Sequence, residues 1–310
     1  MSRRSQSRSE QVDGMLLLNK PAGLTSNQAL QRVKRLLNAN KAGHTGSLDP
    51  AATGMLPLCF GEATKVCAFL LDADKTYRVT ARLGIATDTG DADGNEIATA
   101  DVPELTAEQW GDILQGFLGS SMQVPPMYSA LKKDGKRLYE LARKGETVER
   151  EPRPIRIDEI SLLEIAGHRL VFRVHCSKGT YVRTLVEDIA KQANTVAHTA
   201  RLHRETVGGF QAGDMIDLTG VEAVAEEGPG ALRAQLLPPD IALQSLPAVQ
   251  LDGAAGARFS AGQLVAAGLK DADGLFRVYS ADNEFMGVGE RSKDGLLAPK
   301  RVFRTGEKNP

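Results

Sequence analysis

The segment YRVTARL, residues 77–83, sets Tyr77, Val79, Ala81 and Leu83 at alternate positions, with Arg78, Thr80 and Arg82 between them. A period of two belongs to a β-strand, whose successive side chains point to opposite faces. Leu170, Phe172, Val174 and Cys176 repeat the alternation, and MLLL at 15–18 is a short apolar run that reads as a buried strand. Helical signals lie between the strand signals. Thr25 or Ser26 can cap a helix carrying Leu30, Val33 and Leu37. Thr106-Ala-Glu-Gln109 forms a capping box ahead of Trp110, Ile113, Leu114 and Phe117, and Leu185, Ile189 and Ala193 follow a turn at Gly179. There is no steady βα repeat. The sequence therefore predicts an α+β fold with a mixed, mainly antiparallel sheet.

The chain has 310 residues, of which 42% are hydrophobic and 25% charged, the balance of a globular protein. No apolar run is long enough to span a bilayer. Cys59, Cys67 and Cys176 form no C-x-x-C pair, which fits a reduced, cytoplasmic setting and buried packing roles. The formal net charge of −1 argues against a uniformly basic nucleic-acid binder. The charge is unevenly spread, however. Lys132, Lys133, Lys136, Arg137 and five further Lys or Arg residues crowd 132–156, while acidic residues collect in 214–240. A locally basic surface can hold phosphate on a neutral chain.

Residues 1–13 read as a disordered basic tail. Residues 226–240, rich in Pro and Gly, mark a boundary. Beyond it, LFRVYS at 275–280, FMGVGE at 285–290 and VF at 302–303 predict a small β-rich module. Several motifs fail their tests. DTGDADGNE at 88–96 lacks the twelfth-position carboxylate of a calcium loop and reads as a hairpin turn. The histidines have no metal-ligand spacing, so no metal is assigned. No G-x-S-x-G elbow occurs, and no phosphate loop.

One carboxylate stands in an unusually constrained loop, Asp49 in GHTGSLDPAATG at 43–54. Pro50 restricts its backbone to extended shapes. Alone, Asp49 would read as a turn aspartate, Tyr77 and Leu202 as core, and Arg183 as a surface charge.

Together with NKPAGLTS (19–26), KTYRVTARLGIATDTGDADG (75–94), QVPPMYSALKKDGKRLYELARKG (123–145) and SKGTYVRTL (177–185), that loop resembles the TruB family of transfer RNA pseudouridine synthases. The resemblance runs from about residue 14 to 210. It implies isomerisation of the T-loop uridine, position 55, to pseudouridine. It also implies a catalytic domain at 14–240 with a thumb insertion at about 127–152, and a PUA-like RNA-binding domain at 247–310. By the same resemblance Asp49 is the essential aspartate, Arg183 its partner and Tyr77 the residue that stacks on the target base. Tyr181 and Leu202 line the pocket, His44 holds the rearranged T loop, and Lys20, near the site, binds substrate. Where the family shows Leu-Arg-Arg, this chain reads Leu202-His203-Arg204.

The reaction changes no oxidation state and transfers no external group, so no cofactor is expected. The expected partner is the T arm of transfer RNA, with no membrane, no obligate protein partner and a monomeric chain. The base must be everted at a cost of roughly a few kcal/mol. A tyrosine face returns about 1–3 kcal/mol by stacking. The rival reading is a transfer RNA chaperone that binds and folds RNA without chemistry. A catalytic aspartate paired with a distant arginine favours the enzyme, because a binder gains nothing from an anion beside phosphate.

Overall fold

The computed structural model describes residues 9–133, 135–269 and 274–304. Most of the expected tail, 1–8, lies outside the described residues, as do Asp134 of the basic segment and 305–310 of the C-terminal module. Residues 9–13, counted in the tail, are docked: Glu10 accepts from Asn38 and Arg233, and Asp13 accepts from the Glu62 amide at 2.6 Å. The tail reading is corrected there, because side-chain partners far along the chain hold the backbone down.

The chain opens with β1 (Gly14–Lys20), α1 (Ser26–Leu36), β2 (Ala42–His44) and β3 (Thr53–Phe60). A 3₁₀ turn (Gly61–Val66) and α2 (Cys67–Asp72) lead to β4 (Lys75–Leu83), then the hairpin β5 (Ile85–Thr87) and β6 (Glu96–Thr99). Next come α3 (Ala107–Gln115), β7 (Gly119–Gln123), the ribbon β8 (Lys132–Lys133) and β9 (Lys136–Arg137), and α4 (Leu138–Ala142). The long hairpin β10 (Arg153–Ala166) and β11 (Arg169–Cys176) precedes α5 (Val182–Gln192), β12 (Ala197–Val207) and β13 (Ile216–Asp217). Then follow α6 (Leu218–Glu226), α7 (Pro229–Ala234), β14 (Ala248–Gln250) and α8 (Gly253–Ser260). The last strands are β15 (Leu275–Tyr279), β16 (Phe285–Arg291) and β17 (Leu297–Val302).

The main sheet runs β13-β1-β3-β12-β4-β11-β10-β7, with β2 also on β3. β1–β13 and β3–β12 are parallel and the other pairs antiparallel, as expected for a mixed, mainly antiparallel sheet. β1 occupies one edge of β3. The other edge is shared: β2 pairs along 58–60 and β12 only at Thr53 and Gly54. The loop that carries Asp49 springs from this shared edge.

Burial explains the two strand signatures. In β1, Leu16 and Leu18 face the core under α1, α5 and α6, while Met15 and Leu17 face a second core reached by Val288 and Phe303 of the C-terminal module. Both faces are covered, so the run is continuously apolar. In β4, Tyr77, Val79, Ala81 and Leu83 enter the first core, and Arg78 and Arg82 of the other face are exposed. One covered face produces alternation.

Thr25, not Ser26, caps α1 in a full capping box with Gln28. The predicted box at Thr106 and Gln109 is present on α3. Residues 127–152 lie between β7 and β10 and contain the β8–β9 ribbon and α4, the short helix expected from Leu138 and Leu141. The C-terminal sheet β14-β15-β16-β17 packs with α8 around Leu251, Phe259, Val265, Phe276, Val278 and Leu297. No helix among the described residues is long and apolar enough to cross a membrane.

Candidate active site

NKPAGLTS forms the clamp of the site. The Ser26 hydroxyl donates to the Leu48 carbonyl at 3.1 Å and accepts from the Leu48 amide at 2.8 Å. On the far side of Asp49, the Pro50 carbonyl accepts from the Gly23 amide at 2.8 Å and from the Lys20 ammonium at 3.3 Å. A turn closes between, with the Ala52 amide donating to the Asp49 carbonyl at 3.1 Å. Proline in the second turn position pre-sets that geometry. The carboxylate is thus held from both flanks, which is what positioning requires.

Arg183 enters from the first turn of α5. Its Nε lies 3.0 Å from Asp49 Oδ2. Nη1 donates to the Thr89 carbonyl at 2.7 Å and faces Asp91 Oδ2 at 3.5 Å, and Nη2 donates to the Tyr128 carbonyl at 2.6 Å. The planar fork of an arginine serves all these partners at once. The Arg183 side chain is 7% exposed and that of Asp49 42%. The cation is sealed in protein and the anion is partly open to solvent.

Opposing influences set the Asp49 pKa. Crowding by protein raises it, Arg183 draws it down, and Asp91 and Asp93 raise it again, leaving a net value above that of an ordinary aspartate. Burial pushes the hydroxyls of Tyr77 and Tyr181 up, and both rings feel the Asp49 charge. Tyr77 at the start of β4 is 8% exposed and lies beside Arg204. Tyr181 caps α5, and Gln123 holds its backbone: the side-chain amide donates to the Tyr181 carbonyl at 3.2 Å, and the amide oxygen accepts from the Tyr181 amide at 2.8 Å. Leu202 is half-buried against the first core. His44 sits on β2 with Nδ1 buried and unpartnered, and burial, then Arg204, lowers its pKa, favouring a neutral ring.

Lys20 requires a correction. It was expected to bind substrate, yet it is fully buried. Its ammonium donates to the Pro21, Leu24 and Pro50 carbonyls. Burial lowers its pKa to about 8. It faces the loop backbone rather than solvent, so it shapes the site from behind. His203, which stands where the family has arginine, shares a 2.8 Å hydrogen bond between Nδ1 and Thr53 Oγ1.

Two residues escaped sequence reasoning. Asp91 lies in the turn read only as a hairpin. Its Oδ1 accepts from Thr89 Oγ1 at 2.6 Å and from the Asp93 amide at 3.1 Å, leaving Oδ2 for Arg183. A turn aspartate bonded to its neighbours looks the same with or without such a partner. Arg204 is 1% exposed in mid-sheet, where its Nε donates to the Met55 carbonyl at 2.7 Å and its Nη2 to that of Gly46 at 3.1 Å. β12 reads AHTARLHRETV, so one more arginine among its polar residues gave no signal. Ligand atoms of Asp74, Asp158 and His175 lie within 4.8 Å of one another. Arg156 already bonds both carboxylates, at 3.2 and 2.7 Å, which accounts for the grouping without an ion.

Known proteins resemble this chain along nearly its whole length. Residues 34–182 match the N-terminal domain of TruB family pseudouridylate synthases. Residues 183–244 match the tRNA pseudouridylate synthase B C-terminal domain, and 247–303 the C-terminal region of pseudouridine synthase II TruB. The chain is 50% identical to tRNA pseudouridine synthase B of Dechloromonas aromatica (strain RCB) over 300 residues, 96% of this chain and 98% of that protein. It is 47% identical to tRNA pseudouridine synthase B of Nitrosococcus oceani over 303 residues, 98% of each. Among solved structures, a chain of a Cbf5-Nop10-Gar1 complex superposes with a TM-score of 0.73 at 27% identity, over 94% of this chain and 85% of that one. Family models that together cover most of the chain, and half of all residues shared across nearly its full length, leave one assignment: this protein belongs to the TruB family of pseudouridylate synthases.

Proposed function

We propose that the protein converts the T-loop uridine of transfer RNA to pseudouridine, with Asp49 as the group that reacts with the everted nucleotide. The observation that carries the reading is the contrast within the ion pair: a clamped, partly exposed carboxylate against a sealed guanidinium at 3.0 Å. An ionised carboxylate can act as a nucleophile when water is excluded.

In the net reaction the N1–C1′ bond breaks, the base turns, and C5 bonds to C1′. The C5 proton leaves and N1 gains one, so atoms and charge balance without an external donor. Arg183 favours the ionised form of Asp49 while RNA displaces water. Tyr77 and Tyr181 line the place of the base, and half-buried Leu202 supplies an apolar wall. His44, with a neutral ring at the start of the Asp49 loop, bonds to the rearranged T loop. The exposed lysines of β8 and β9 hold the RNA backbone as part of the thumb, 127–152. The module from 247 onward acts as a PUA-like RNA-binding domain. The protein works in the cytoplasm as a monomer.

The test uses an unmodified T-arm stem-loop and a direct assay for pseudouridine. Wild type makes product. Asp49→Asn binds the RNA, but its single-turnover rate falls by at least about a thousandfold. Turnover retained in Asp49→Asn rejects the nucleophile assignment. Annealing of transfer RNA by a wild-type protein that makes no product replaces the synthase with the chaperone.

A further inference from the structure

Cys59 and Cys67 were expected to be independent packing residues, and the fold makes them neighbours. Gly43 of β2 and Cys59 of β3 are directly opposite in antiparallel register, so a side chain at 43 would share a face with Cys59. Side chains in that relation stand with Cβ atoms about 4.5–5.5 Å apart. Gly43 has no Cβ. The position it leaves is filled by Cys67, whose Sγ lies 3.5 Å from where that Cβ would be. The helix α2 thereby delivers its first residue beside Cys59, and both side chains belong to the second core. Cys59 is fully buried and Cys67 half-buried.

We propose that Cys59 and Cys67 form a reversible disulfide, driven by hydroperoxide, that ties α2 to β3 beneath Gly43. The half-buried Cys67 reacts first. Its thiolate attacks one peroxide oxygen, the O–O bond breaks, and a sulfenic acid forms as hydroxide leaves and takes a proton to become water. The Cys59 sulfur then attacks the Cys67 sulfur. The S–O bond breaks, the hydroxyl leaves with the remaining thiol proton as a second water, and the disulfide is complete. Two thiols lose two electrons and the peroxide gains them. A small thiol reverses the step by exchange.

The chemical environment supports that order. Contact with Cys59 and the nearby Lys41 ammonium draw the Cys67 thiol down against its burial, while contact with Cys67 and burial push Cys59 up. The thiolate is the reactive form, so Cys67 is the attacking sulfur and Cys59 the resolving one. Cys176 is 1% exposed and burial holds its thiol at about 11, which leaves it inert.

The bond would act on the next residue. β2 has three residues and pairs only with β3 among the described strands, so moving the Cys67 sulfur that packs on Gly43 shifts His44. Weaker RNA binding after oxidation follows, a consequence that rests on the synthase reading of His44. The crosslink itself does not.

Reduced full-length protein is treated with hydrogen peroxide, denatured in N-ethylmaleimide, digested without reduction and read by mass spectrometry. The expected result is a linked Cys59–Cys67 peptide pair that dithiothreitol abolishes, with Cys176 alkylated. Cys67→Ser gives no link, and Cys59→Ala leaves Cys67 to oxidise to the sulfinic acid. Wild-type Cys67 driven to sulfinic or sulfonic acid without the link, or linked between chains, overturns the proposal. In parallel, fluorescence anisotropy with the T-arm stem-loop should show affinity weakened by about fivefold or more in the crosslinked protein. That loss should be restored by dithiothreitol and absent in Cys67→Ser. Equal affinity of crosslinked and reduced protein overturns the coupling to His44 and leaves the disulfide standing.

Discussion

Arg183 pairs with Asp49 at 3.0 Å while also facing Asp91 at 3.5 Å, so one buried guanidinium is divided between two carboxylates. Asp91 acts on Asp49 in two ways. It repels the negative form, and it takes a share of the cation. Both raise the Asp49 pKa. The acid limb of the single-turnover rate should therefore lie above the ordinary aspartate range, and Asp91→Asn should move that limb to lower pH. The stability sign is opposite to the activity sign. A carboxyl whose folded pKa is raised costs stability as pH climbs through its unfolded value, so ionisation of Asp49 favours catalysis and disfavours the fold. A limb that stays in place or rises in Asp91→Asn counts against this account.

Lys20 separates positioning from binding. Lys20→Met removes the donor from the Pro50 and Leu24 carbonyls while keeping the length of the chain. The expected outcome is a fall in kcat of about a hundredfold with KM nearly unchanged, because the loop that aims Asp49 loosens. A rise in KM at constant kcat would show that Lys20 touches RNA after all.

Gly54 is where β3 and β12 come closest. Its φ is +100°, and a Cβ there would lie 2.2 Å from the Arg204 carbonyl oxygen. Gly54→Ala should cost roughly 3 kcal/mol, from the clash and the backbone conformation together. Urea unfolding measures it. A loss below about 1 kcal/mol would mean that the strands separate easily.

The basic ribbon should reveal itself through salt. Lys132, Lys133, Lys136 and Arg137 are exposed. Each alanine substitution that removes a phosphate contact should flatten the slope of log affinity against log salt by about 0.7. Product formation at saturating RNA should persist. An unchanged slope in Lys132→Ala with Lys136→Ala would place the RNA backbone elsewhere.

Local information in the chain determined a good deal: the strands at Tyr77–Leu83 and Leu170–Cys176, the capping box at Thr106, a cap at Thr25 or Ser26, and the turn around Asp91. Alternation and capping are settled by residues within a few positions of one another, and side chains that near in sequence stay near in space. The motif at Asp49 was legible for the same reason. Tertiary structure alone decided what those residues meet. It divided Arg183 between two aspartates, turned Lys20 inward, set Arg204 beneath His44 and Tyr77, and brought Cys67 to Cys59. Each of these depends on the order of strands and on which helix covers which face. Strand order follows from how both faces of the whole sheet are buried, a property of the packed molecule that no single segment contains.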